Sequence, residues 1–144
     1  MNILQFLKLK VGALRATPVS ASDPLPVQEV QKGTPWYYAP PSGGYTNSTA
    51  QTTVKASETD LYQYVTGAQI AASALANASE FYIVTGASTV MARFYVPAAG
   101  LAPVNVRFDP PLKTSLAGVV RLQAGTLFAT GGVFVNLQGF TSPL

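Results

Sequence analysis

Between residues 50 and 144 apolar and polar side chains alternate in short runs, and no other feature limits the possible folds of this chain as strongly. Val90, Ala92, Phe94 and Val96 alternate with Met91, Arg93 and Tyr95; Val104, Val106 and Phe108 alternate with Asn105 and Arg107. Val120 and Leu122 alternate with Arg121 and Gln123, and Val133, Val135 and Leu137 with Phe134, Asn136 and Gln138. A strand turns successive side chains to opposite faces, so this period of two marks half-buried β-strands. Phe81-Tyr82-Ile83-Val84 and Leu61-Tyr62-Gln63-Tyr64-Val65 add aromatic and β-branched runs of strand length. Turn signals separate them: Thr85-Gly86-Ala87-Ser88, Pro97-Ala98-Ala99-Gly100, Asp109-Pro110-Pro111, Ala124-Gly125 and Gly131-Gly132. Short strands with no recurrent helix between them predict an all-β antiparallel sandwich, jelly-roll-like. The stretch from Gly67 to Ala78 reads as strand plus loop; its alanines leave a short helix as the alternative.

Residues 1–48 follow a different rule. Pro18, Pro24 and Pro26 remove backbone donors and hold their predecessors extended, so no helix crosses 16–27. Residues 33–49 carry no charge and hold Trp36, Tyr37, Tyr38 and Tyr45. The expected organisation is therefore an extended N-terminal arm over residues 1–48 and a sandwich over 49–144. The four rings either fold back onto the chain's own sheet or anchor the arm to a partner, since Trp and Tyr dominate buried interface anchors. Sugar stacking is a third use for them. Leu4, Leu7, Val11 and Leu14 share one helical face, while Leu7-Lys8-Leu9-Lys10-Val11 alternates like a strand. Either way an apolar stripe flanked by positive charge is offered to the chain's own domain or to a neighbouring subunit. The expected partner-binding set is thus Leu4, Leu7, Val11, Leu14, Trp36, Tyr37, Tyr38 and Tyr45.

Composition narrows the chemistry. With no histidine and no cysteine among 144 residues, disulfides, zinc fingers, thiol nucleophiles and Ser-His-Asp triads are excluded. Charged residues make up 10%, against about 25% in an average domain, so 14 Thr and 10 Ser must supply much of the polar surface. Only Glu58 and Asp60 among the carboxylates are close in sequence, and a solvated turn explains them better than a glycosidase pair or a calcium site. No enzyme activity, metal or cofactor is expected. The net charge of +3 is spread along the chain, which argues against a nucleic-acid partner. The N-terminal apolar run is too short to span a membrane, and its lysines follow rather than precede it, so synthesis in a cytoplasm is expected and the sequons at Asn47 and Asn77 read as chance matches.

The succession of Thr53-Val54-Lys55-Ala56-Ser57, Leu61-Tyr62, Phe81-Tyr82-Ile83-Val84, Phe94-Tyr95-Val96-Pro97-Ala98-Ala99-Gly100, Pro111-Leu112 and Val133-Phe134-Val135-Asn136-Leu137 resembles the small β-sandwich structural proteins of tailed-bacteriophage virions. The segment from Pro18 to Val27 is similar to linkers in phage particle proteins. The resemblance implies a virion location and a non-enzymatic role, as a capsid decoration (cement) protein on the major capsid protein shell, commonly trimeric. A receptor- or glycan-binding module of a head fibre, spike or tail is the alternative it carries.

Overall fold

The computed structural model describes residues 33–45 and 49–143. They form eight strands and no helix: β1 (Thr34–Tyr38), β2 (Thr52–Lys55), β3 (Tyr62–Ala72), β4 (Ser79–Thr85), β5 (Thr89–Val96), β6 (Leu101–Lys113), β7 (Val120–Ala124) and β8 (Val133–Ser142). Two four-stranded antiparallel sheets result, ordered β1-β8-β3-β6 and β2-β7-β4-β5. Strands β1 to β4 pair in turn with β8, β7, β6 and β5, as in one long antiparallel ribbon folded at the β4–β5 turn. Rolling that ribbon adds the β3–β8 and β4–β7 pairings. This double Greek key is the jelly roll, and the fold expected from the alternation is the one observed.

The period of two sets the core, reset in β3 by the register shift after Val65. Val65 and Ile70 of β3, Phe81 and Ile83 of β4, Val120 and Leu122 of β7, and Val133, Val135 and Leu137 of β8 are all buried between the sheets. Each such side chain contributes roughly 1.5–3 kcal/mol on leaving water. Leu75 and Phe128 are equally buried but lie in loops, where no periodicity marks them. Leu75 is held by its backbone N–H, which donates to the Ala98 carbonyl at 2.7 Å.

β3 runs on to Ala72 and is followed by a loop, which is the strand-plus-loop reading of 67–78 and not its helical alternative. Two expectations change. Asp109-Pro110-Pro111 is no turn but part of β6, with a cis Asp109–Pro110 bond. The pairing with β3 jumps there from Leu112 to Arg107, and β6 is an edge strand, so the prolines cost no ladder hydrogen bond. Finally, β1 lies within the span assigned to the arm. Its five residues pair with Leu137 to Thr141 of β8, and Tyr45 bridges to Val133. The sandwich therefore begins at residue 34 rather than 49, and the chain's division into two units falls between Gln31 and Lys32. Pro35 did not exclude a strand because β1 is an edge.

Candidate functional site

Pairing with β8 separates the four rings expected to act together. Trp36 and Tyr38 lie opposite Gly139 and Leu137 on the inner face and pack against the core, as does Tyr45. The Tyr45 hydroxyl donates to that of Tyr38 at 2.8 Å, and its ring meets Phe81 at 6.0 Å between centroids. Burial, then the Tyr38 hydrogen bond, pushes the Tyr45 phenol far above its ordinary pKa. Trp36, Tyr38 and Tyr45 thus follow the fold-back alternative and are corrected as partner anchors. Only Tyr37 points outward, 68% exposed. Leu4, Leu7, Val11 and Leu14 lie outside the described residues.

The carboxylates do not converge. Glu58 receives the Lys55 ammonium at 2.6 Å and a hydroxyl hydrogen bond from Thr141 at 3.4 Å. Lys55 holds its pKa below the ordinary carboxylate value, with help from Gln63 and Thr141. Glu58 is half-buried rather than fully solvated, because a polar network at the sandwich end reaches it. In that network Thr141 Oγ1 donates to Gln63 Oε1 at 2.6 Å. Asp60 is exposed at the turn, with φ of 59°. Glu80 accepts the Tyr82 hydroxyl at 2.7 Å, and the Arg93 guanidinium lies 5.3 Å from that ring. Among the described residues no three metal-ligating side chains form a group.

The outer face of β1-β8-β3-β6 brings together side chains that sequence order keeps apart. One row across it is a ladder of amides: Asn136 Nδ2 donates to Gln69 Oε1 at 3.1 Å, and Gln69 Nε2 donates to Asn105 Oδ1 at 3.0 Å. The next row is Tyr37, Gln138, Gly67 and Arg107. Gly67 leaves a gap into which Gln138 leans: a Cβ there would sit 3.0 Å from Gln138 Nε2. A third row holds Pro35, Phe140, Tyr64 and Lys113. Tyr64 and Phe140 stack at 4.6 Å and 7°, and Lys113 Nζ lies 3.8 Å from the centre of the neighbouring Tyr62 ring. These rows contain two cations and no carboxylate. Among the described residues Lys55–Glu58 is the only ion pair, so Arg107 and Lys113 have no acidic partner.

The outer face of the second sheet differs. Its polar groups are used to hold the β4–β5 turn: Arg121 donates to the Gly86 carbonyl, and Gln51 Nε2 donates to the Ala87 carbonyl at 2.7 Å and to Gln123 Oε1 at 3.2 Å. The edge strands β5 and β6, joined by the turn at 97–100, leave Tyr95 67%, Val104 44% and Val90 38% exposed. Sequence reasoning marked Asn105, Arg107, Asn136 and Gln138 as outward alternates but had no register with which to align them with Gln69 and Tyr37.

Comparison with known protein families and with curated proteins finds no match to this chain.

Proposed function

We propose that this chain is a non-enzymatic structural protein of a phage particle, a decoration protein that binds and stabilises the major capsid protein shell as a trimer. The observation that carries this reading is the complete jelly-roll strand order, β1-β8-β3-β6 over β2-β7-β4-β5, an architecture used by viral shell proteins as well as by lectin domains. The resemblance along the strands and turns to phage virion proteins points the same way. Val90, Tyr95 and Val104, exposed on the β5 and β6 edges, supply apolar surface for contacts between copies, where interface cores favour apolar and aromatic side chains over charge. The alternative, a receptor- or glycan-binding module of a fibre, spike or tail, draws support from the uncompensated cations and amides on the outer face of the first sheet.

Quantitative mass spectrometry of purified particles of the phage that encodes this chain tests both. A copy number comparable to that of the shell protein supports decoration. A copy number far below it supports the fibre or tail reading. Absence from the particles overturns both. Light scattering of the purified protein should give three times the 15.1 kDa chain mass; a monomer at micromolar concentration would remove the trimer.

A further inference from the structure

We infer that the outer face of β1-β8-β3-β6 is a binding site for an acidic oligosaccharide. This goes beyond the structural role and rests on the face alone, wherever in a particle the protein sits.

Three kinds of group on that face match three properties of such a ligand. First, the amide ladder is preorganised and only half used. A side-chain amide offers two donor hydrogens and an oxygen with two lone pairs. In Gln69 one hydrogen and one lone pair are taken by Asn105 and Asn136, which fixes the amide plane and leaves a donor and an acceptor for a ligand. Neighbouring sugar hydroxyls, each both donor and acceptor, fit that pairing. Gln138, one row away, adds an amide with no side-chain hydrogen bond among the described residues. Second, Tyr37 stands exposed beside Gln138 on the edge strand, a flat apolar surface for the C–H face of a sugar ring. Third, Arg107 and Lys113 border the same rows without an ion pair, and the exposed Asp109 between them on β6 pairs with neither. A carboxylate or sulfate on the ligand completes the pairing, and a guanidinium suits it because its fork binds two oxygens at once.

The dimensions call for several sugars. Tyr37 and Arg107 sit at opposite ends of one row across four strands, which at a strand spacing of 4.7–4.9 Å places their backbones roughly 14 Å apart. That exceeds one pyranose ring. Gly67, in the middle of the row, lowers the floor between the amide ladder and the stacked Tyr64–Phe140 pair, so a chain laid along the row meets amides on one flank and rings on the other. Two cations are too few to follow a nucleic-acid backbone, whose affinity comes from many neutralised phosphates. They are also an awkward centre for a two-fold contact between identical copies, which would bring like charges together.

The test uses the full chain and isothermal titration calorimetry at low salt with four tetrameric probes: an oligogalacturonate, a sulfated glycosaminoglycan fragment, neutral maltotetraose and a thymidine oligonucleotide. Binding of the uronate or the sulfated probe, at least tenfold tighter than of maltotetraose and the oligonucleotide, is expected, and which acidic probe binds identifies the anionic group. Arg107→Ala and Tyr37→Ala should each weaken it about tenfold or more, a difference near 1.4 kcal/mol, with melting curves showing the fold intact. Leu127→Ala, at an exposed position in the β7–β8 loop, should leave it unchanged. Binding should also fall as salt screens the exposed cations. Failure of both acidic probes to bind, equal binding of maltotetraose, or equal binding of the oligonucleotide would each overturn the inference. So would self-association that Arg107→Ala or Tyr37→Ala abolishes, since a second copy would then occupy the face.

Discussion

The indole of Trp36 lies against Gly139, its register partner on β8, so closely that a Cβ on the glycine would sit 2.5 Å from Trp36 Cζ2. The same Cβ would also meet the Tyr64 backbone carbonyl, which cannot swing aside as a side chain can. Gly139→Ala is therefore expected to destabilise the sandwich by about 1–3 kcal/mol, the usual cost of overpacking a tight site. Denaturant titration followed by fluorescence measures it directly, because Trp36 is the chain's single tryptophan. A change below 0.5 kcal/mol would mean that β1 is not held against β8 as described.

Truncation separates the arm from the sheet. A chain starting at residue 33 keeps every described strand and should unfold cooperatively with a β-type circular dichroism spectrum. One starting at Thr49 lacks β1, Trp36, Tyr38 and Tyr45 and leaves β8 as an open edge. Burial of a large apolar side chain contributes roughly 1.5–3 kcal/mol, so this shorter chain should lose several kcal/mol and associate through the open edge. Equal melting temperatures for the two would show that β1 contributes little.

The buried polar network at the sandwich end is sensitive to the loss of one partner. Gln63 is fully buried and its Oε1 accepts from Thr141. Thr141→Val preserves the shape but leaves that oxygen without its strongest donor, at a cost of about 1–3 kcal/mol. Thr66→Val, which removes an exposed hydroxyl hydrogen bond to the Gln138 carbonyl, should cost much less under the same denaturant assay.

Stability should decline at both extremes of pH, for different reasons. Lys55 holds Glu58 ionised, with its pKa below the ordinary 4.5. The unfolded chain thus takes up the proton first, and the stabilisation present above that ordinary value disappears as pH falls through the lower, folded one. Glu58→Gln should flatten this acid limb. Tyr45 has a raised pKa. Above pH 10 the unfolded chain therefore loses the phenolic proton while the folded state retains it, and stability falls as pH rises. Tyr45→Phe should weaken the fold at neutral pH by removing the bond to Tyr38, yet reduce the alkaline decline. Melting temperature against pH for the three proteins checks both signs.

The alternation in β7 and β8 was legible residue by residue, because a strand's two faces are a local property of the backbone, whereas in β5 the register shift opposite Ile83 and Val84 turns Val90 outward. Val120, Leu122, Val133, Val135 and Leu137 are inward in the sequence pattern and buried in the structure. Loop residues such as Leu75 and Phe128 have no periodic neighbours to reveal them, and their burial depends on where the chain returns. The same distinction governs 33–45. Pro35 and the absence of charge read as an arm, and only the presence of β8 as a pairing partner makes Thr34–Tyr38 an edge strand with one ring outward and two inward. The candidate site is the extreme case. Tyr37, Gln69, Arg107 and Asn136 come from four strands, with 29 to 38 positions between successive members, and each is an ordinary polar or aromatic alternate in its own run. Their juxtaposition is set by strand order and register, which depend on long-range pairing and on the bulges that shift it. The local pattern therefore determined which residues face outward, and tertiary pairing alone decided which of them meet.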